Sequence, residues 1–409
     1  MMKRLLGVIL LLPFLYILQL NWRMTYQPTM ERTAAGLYNV DLLKQLQFLR
    51  VELREKGAGQ SMQGIYPEGY VFIHALYALS WAGSVEYTTD PNLREQALRE
   101  MRWTIERLES DTARSIFPVD MTALPYGVFY QAWLNYTRAH YLAALPDPEQ
   151  DSLQLARFET ACTQIAQAIE QHHTPFLYSY HYGCWPADNV VALATLSKYD
   201  QILPPKFADL RTQWLARMRE KADDYGLIPH EVNLSSGSSL EDARGSSQSL
   251  MLAFWPAIDS TFAEDQYRRY REHFVDQRLG LPGIREYPKG QSGLGDVDAG
   301  PVIWEIGGAA SVVGMGTAAQ YQDTNVHTGL RNSIEGFGLA TSFGGKKKYL
   351  FGQLPMADAF IAWSHARAPV ESWEARPSIR WASIFSLFLP LLLLGGLLWY
   401  LWKPVRTVS

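Results

Sequence analysis

Cysteine is almost absent from this chain: 409 residues hold two, Cys162 and Cys184. That excludes a small disulfide-dense scaffold. No CxxC, no HExxH and no GxSxG occurs, so the common zinc-site and serine-nucleophile signatures have nothing to rest on. Charge is also scarce: 19% of residues are charged, below the usual quarter. It is balanced too, with Lys+Arg 37 against Asp+Glu 41 and a net charge of -4. No basic cluster offsets this, which removes the electrostatic case for a nucleic-acid partner. Between the two ends there is no Gly/Ser linker and no block of one charge. What is present is a 47% hydrophobic and 13% aromatic composition, suited to a well-filled core and not to disorder or a collagen-like chain.

Two apolar stretches account for part of the missing charge. Residues 5–20 read LLGVILLLPFLYILQL after Lys3 and Arg4, and Trp22 extends the run. The sequence that follows, Asn21-Trp22-Arg23-Met24, is too bulky for a signal-peptidase site. An uncleaved signal anchor over 1–24 is expected rather than a removed signal peptide. Residues 381–402 carry no charge, have Trp381, Trp399, Tyr400 and Trp402 near the ends, and precede Lys403 and Arg406. Interfacial aromatics and flanking cations of this kind mark a second transmembrane helix. The positive-inside rule puts both termini in the cytoplasm, although Arg376 and Arg380 lie on the other flank of the second run. The central region is then extracytoplasmic, where Cys162 and Cys184 either pair or remain as buried free thiols.

The central region, about 30–370, repeats an architecture. Apolar helical segments open at 67, 125, 186, 246, 301 and 355, at spacings of 54 to 61. Five of them open with proline, namely Pro67, Pro125, Pro186, Pro301 and Pro355, a residue favoured at the first helical position because its missing N–H is not needed there. The sixth opens at Gly245-Ser246 with serine as a cap. Segments such as VFIHALYALSWAG (71–83), VVALATLSKY (190–199) and VIWEIGGAASVVGMGTAA (302–319) are apolar on all sides and are expected to be buried. Amphipathic, charge-rich segments alternate with them at 40–56, 91–110, 151–172, 205–225, 262–278 and 324–337. Six pairs of one buried and one solvated helix predict an all-α fold, an (α/α)6 toroid or six-hairpin barrel flanked by two transmembrane helices. A helical solenoid is the competing arrangement.

In a toroid the inner helices run parallel, so the loops before them converge on one mouth. Those loops hold most of the chemistry-bearing residues: Glu68, Asp188, His230, Glu231, Glu241, Asp242, Arg244, Arg285, Glu286, Tyr287, Asp296, Asp298 and Asp358. The stretches 226–245 and 279–300 are long loops of the kind that carry function. Glu305 is expected one turn inside a buried helix, between Trp304 and Ile306. Burial without a cation would keep it protonated, beside ionised neighbours, which is the division of labour acid–base catalysis needs. Cys184, just before Pro186, is expected to have its thiol pKa lowered by a helix dipole. Asp296-Val297-Asp298 is a weak divalent-cation pattern, and His172-His173 reads as a solvated helix end. No metal and no organic cofactor is expected.

The segment Cys184-Trp185-Pro186-Ala187-Asp188-Asn189 followed by VVALATLSKYD, the stretch DSTFAEDQYRRYREHFV (259–275) and Asp296-Val297-Asp298-Ala299-Gly300 resemble the linalool dehydratase/isomerase domain family. The resemblance implies an (α/α)6 toroid and cofactor-free loss of water from, or isomerisation of, an alcohol. It implies a site lined by cysteine, histidine, tyrosine and acidic side chains, with Cys184 at the position of one family cysteine. The family's second cysteine and its histidine in the second inner helix have no counterpart in VVALATL or in YGVFYQAWLN (126–135).

The sequence therefore leads to a membrane-anchored domain with an acid–base site acting on an alcohol-bearing, terpenoid or lipid substrate. Asp188, Cys184, Glu286, Asp298 and Glu305 are the catalytic candidates. Glu68, Tyr66, Tyr70, Trp185, His230, Glu231, Arg244, Arg285, Tyr287 and Asp296 are the substrate-binding candidates. A glycan-active hydrolase or epimerase and a non-catalytic envelope scaffold are the alternatives, and a homo-oligomer is compatible with each.

Overall fold

The structure is a computed structural model. It describes residues 2–23, 25–117, 123–181, 183–278, 280–297, 299–369, 372–373 and 381–403. The helices in chain order are α1 (Met2–Arg23), α2 (Val40–Glu55), α3 (Ala58–Gln63), α4 (Gly69–Ser84), α5 (Pro91–Leu108), α6 (Asp111–Arg114), α7 (Gly127–Ala144), α8 (Ser152–Gln171), α9 (Pro186–Ile202), α10 (Ala208–Arg219), α11 (Gly245–Leu252), α12 (Trp255–Ile258), α13 (Ser260–His273), α14 (Gly308–Gln320), α15 (Thr324–Phe337), α16 (Pro355–Ala366) and α17 (Trp381–Trp402).

Helices α4, α7, α9, α11, α14 and α16 each pack on the next, and α16 returns to α4. The ring is closed, which distinguishes it from a solenoid. Helices α2, α5, α8, α10, α13 and α15 lie outside the ring, each against an inner partner. The period of the sequence thus becomes an (α/α)6 arrangement. It does so because an all-apolar helix is stable only when covered on every side, while an amphipathic helix needs one covered face. Aromatic rings fill the centre. Phe72 of α4 meets Phe129 and Trp133 of α7 and Phe360 of α16, and Trp133 meets Phe254 and Trp363.

Side-chain caps occur on five of the six outer helices, α10 being the exception. Asn39, Asp90, Asp151, Asp259 and Asp323 accept hydrogen bonds from the first-turn N–H groups of α2, α5, α8, α13 and α15. None of the six inner helices has a side-chain cap.

Three of the expected inner-helix starts move. Helices α4 and α7 begin at Gly69 and Gly127, two residues after Pro67 and Pro125. Helix α14 begins at Gly308 and not at Pro301. Between those positions the chain makes a hairpin, and Trp304 and Glu305 at its tip have φ of 49° and 70°. That left-handed pair cannot continue a right-handed helix. The hairpin is one of five among the described residues, all absent from the sequence reading: β1–β2 (Met30–Thr33, Gly36–Asn39), β3–β4 (Glu231–Val232, Ser239–Glu241), β5–β6 (Val275–Arg278, Leu281–Ile284), β7–β8 (Val302–Ile303, Ile306–Gly307) and β9–β10 (Thr341–Phe343, Lys346–Lys348). All are antiparallel.

Helices α1 and α17 pack side by side. Gly7, early in α1, lies against Trp402 at the end of α17, so the pair is antiparallel. Among the described residues one helix, Leu5–Arg23, is long and apolar enough to cross a membrane, with a mean hydropathy of 2.0 and little of its surface covered. Leu387–Trp402 is apolar over a shorter length, so the second expected span lacks the same support. A buried ion cluster joins α1 to the ring: Lys347 Nζ meets Glu335 and, at 3.1 Å, Asp41, and Arg23 meets Glu335 and the Ala340 carbonyl.

Candidate functional site

The loops before the inner helices are joined into a rim. Val128 N–H donates to Tyr178 O at 2.8 Å, Val232 N–H to Cys184 O at 3.1 Å, Gly245 N–H to Glu286 O at 2.8 Å and Glu286 N–H to Glu305 O at 3.0 Å. Two glycines make the joints close enough. A Cβ at Gly127, where φ is 79°, would sit 1.9 Å from Ser179 O, and one at Gly245 would sit 1.8 Å from Arg285 O. No other residue fits such a backbone approach.

One group of residues gathers at the starts of α4 and α9. Glu68 ends the loop before α4 and is buried; it accepts a hydrogen bond from Tyr180 Oη at 3.0 Å. Asp188 sits in the first turn of α9, also buried. Burial raises its pKa to about 7; a hydrogen bond from Ser179 opposes the rise and the nearby Glu68 charge adds to it. Two carboxyl groups thus meet through adjacent residues, Ser179 and Tyr180, of one loop. Trp185 packs on Tyr180 with centroids 4.9 Å apart and the rings tilted by 35°, and Tyr180 packs edge-on against Phe117. An acid that is half protonated near neutrality, beside a second carboxyl and an aromatic wall, can donate a proton while its neighbour acts as base or nucleophile.

A second group forms where β3–β4, α11 and the 285–300 loop meet. Arg244 donates from Nε to Glu286 Oε1 at 2.9 Å and from Nη1 to Asp296 Oδ2 at 2.5 Å, with Glu241 Oε1 at 3.3 Å. Ser246 Oγ donates to the same Glu286 oxygen at 2.6 Å, and Tyr287 presents its ring to the guanidinium at 5.6 Å. Burial raises the Glu286 pKa to about 6 against the pull of Ser246 and Arg244. Burial first, then Arg244, lowers His230 to about 4, so its imidazole is neutral. Among the described residues, three buried atoms here have no hydrogen-bond partner: Arg244 Nη2, Glu286 Oε2 and His230 Nδ1.

Several expected site residues are placed otherwise. Glu305 is not inside a helix but at the β7–β8 hairpin tip, partly exposed, paired with Arg278 and Arg285. Those guanidiniums lower its pKa, the opposite of the protonated acid expected. Arg285 is consumed in the same outer network with Asp276 and does not present itself to a substrate. Cys184 is buried, its Sγ donating to Leu177 O at 3.3 Å, and burial raises its thiol pKa. The expected lowering fails because desolvation outweighs the helix dipole. Cys162 and Cys184 are both free. Tyr70 faces away from the mouth, against Gly59 and His74, while Tyr66 is half-buried against the core. Glu231 stands in β3 opposite Glu241. Asp358 accepts the Tyr349 N–H at 2.8 Å on the α2 side, where burial raises its pKa to about 8. Asp298 lies outside the described residues. Among the described residues no cluster of three or more His, Cys, Asp or Glu has a metal-binding arrangement.

Ser179, Tyr180 and Ser246 were not singled out from the sequence. For Tyr180 the signal was present, as a tyrosine-rich loop between Phe176 and the proline that opens α9. For the two serines there was none, because a hydroxyl near a buried acid looks like any loop serine.

No family model matches the chain, and no curated protein matches it. Among solved structures, one titled "Crystal structure of unsaturated glucuronyl hydrolase specific for heparin" is similar over 86% of this chain and 94% of its own, at 13% identity and a TM-score of 0.47. That likeness is too distant to carry an argument about fold or activity.

Proposed function

We propose that this chain is a glycan-active enzyme, of hydrolase or epimerase type, working at the rim of the ring. The observation that carries the reading is the Glu68–Asp188 pair: two buried carboxyl groups coupled through one loop, with Asp188 held near pKa 7 beside the Tyr180–Trp185 wall. Two carboxyl groups, one of them able to donate a proton, are what glycosyl transfer to water requires. Asp188 is assigned as the proton donor and Glu68 as its partner. Flat aromatic faces accept the apolar faces of sugar rings, and the rim offers many polar groups, which favours a sugar over a terpenoid or lipid alcohol. The buried thiol of Cys184 gives no support to an acid or nucleophile role in a linalool-type reaction. The antiparallel α1–α17 pair supports tethering to a membrane with both termini on one side, and the ring is assigned to the extracytoplasmic side.

Activity against a panel of oligosaccharides and glycosides tests the assignment. Asp188→Asn and Glu68→Gln are expected to abolish turnover while substrate still binds. Turnover that persists in Asp188→Asn, or that occurs only with prenyl alcohols, would overturn it.

A further inference from the structure

The Arg244 cluster contains an unfinished contact. Arg244 Nε bonds Glu286 Oε1, yet Nη2 on the guanidinium and Oε2 on the carboxylate have no partner. Each is one covalent angle from the bond that is made. A side-on fork, in which both parallel bonds form, is the usual arrangement for this pair. Here only one of the two bonds is made, leaving an N–H donor on Arg244 and an acceptor on Glu286, the latter facing Gly307, without partners among the described residues. The third unpartnered atom, Nδ1 of neutral His230, belongs to the same cluster. Leaving buried polar atoms unpaired is costly, and three in one cluster at a rim point to a ligand.

We infer that this cluster is a sugar-hydroxyl subsite that takes uncharged sugars and rejects those bearing a carboxylate or a phosphate. The inference rests on the glycan reading above. A hydroxyl both accepts and donates, so sugar hydroxyls can meet Nη2 and Oε2 alike. A carboxylate only accepts, so it leaves Glu286 Oε2 unpaired, and an ammonium only donates, so it leaves Nη2 unpaired. Charge points the same way. Glu241, Glu286 and Asp296 already share the single guanidinium of Arg244. The other rim guanidinium, Arg285, is engaged at every nitrogen: Nε by Tyr287 O, Nη1 by Asp276 and Glu305, and Nη2 by Gln291 O. An incoming anion would be a fourth negative group with no free fork to receive it.

The test is calorimetric binding to the full-length chain in detergent, using three trisaccharides of one linkage: all-glucose, glucuronate-bearing and glucosamine-bearing. The all-glucose ligand is expected to bind at least about tenfold tighter than the glucuronate one, a gap of about 1.4 kcal/mol. The double change Glu241→Gln with Asp296→Asn removes two of the three carboxylates and is expected to narrow that gap about tenfold, while the melting curve reports that the variant still folds. Glucuronate binding as well as, or better than, glucose would overturn the inference and leave the glycan reading standing. An unchanged gap in the folded double variant would overturn the charge argument. Failure of all three sugars to bind would sink the glycan reading itself, and this subsite with it.

Discussion

Replacing Asp188 by Asn should remove activity and flatten the dependence of stability on pH. In an unfolded chain an aspartate loses its proton near pH 3.9. Inside the ring, burial and the Glu68 charge hold that proton to about pH 7. Below the unfolded value both states are protonated and the stability is fully present. As pH rises, the unfolded state ionises first, and the folded state becomes progressively less favoured until its own group titrates. A raised folded pKa therefore gives stability that is lost as pH rises through about 7. Three pKa units correspond to about 4 kcal/mol in all, of which roughly 2–3 kcal/mol falls between pH 5 and pH 8. The Asn variant has no proton to lose there, and groups that do not interact with Asp188 cancel in the difference. Urea unfolding of the detergent-solubilised chain at pH 5, 6, 7 and 8 should show the variant gaining on the wild type by that amount. Parallel stability curves for the two proteins would refute the reasoning, because they would mean that the Asp188 proton affinity is the same folded and unfolded. Wild-type turnover should fall as pH rises through about 7, since the donor must be protonated.

Lys347→Met leaves Asp41 buried without its cation and Glu335 with Arg23 alone; a loss of about 3–5 kcal/mol is expected by chemical denaturation, and a loss under 1 kcal/mol would show that the cluster is hydrated. Glu305→Gln should leave turnover unchanged, since the side chain lies in an outer ion-pair network; a large fall in kcat would return Glu305 to the catalytic set. Both cysteines are free and buried, so dithiothreitol should not shift the melting temperature, and thiol labelling after unfolding should modify both residues. A reductant-sensitive melt would contradict that arrangement.

The helical part of this molecule was readable because its signals are local. Proline at the first turn, apolar positions on every side of a segment and one-sided polarity in the next are properties of neighbouring residues. They located α9, α11, α15 and α16 to within a residue or two. The failures came where a tertiary contact set the backbone. Pro301 looked like the other helix-opening prolines, but the chain crosses a hairpin before α14 begins. That shift took Glu305 from an expected core position to an exposed pairing with Arg278 and Arg285. Cys184 was placed correctly at a helix start, but burial decided its proton affinity.

The site divides in the same way. Sequence alone put Glu68, Asp188, Arg244, Glu286 and Asp296 in loops preceding inner helices, because a repeat fixes which segments share a rim. It had no means of pairing Glu68 with Asp188, which are joined through Ser179 and Tyr180. Nor could it assign Glu241, Glu286 and Asp296 to one guanidinium. Apart from Glu241, which is three residues from Arg244, these partners lie far apart along the chain, and packing of successive inner-helix loops brings them together. Pattern determined the ring and its rim; long-range packing decided which acids become neighbours and which share a cation.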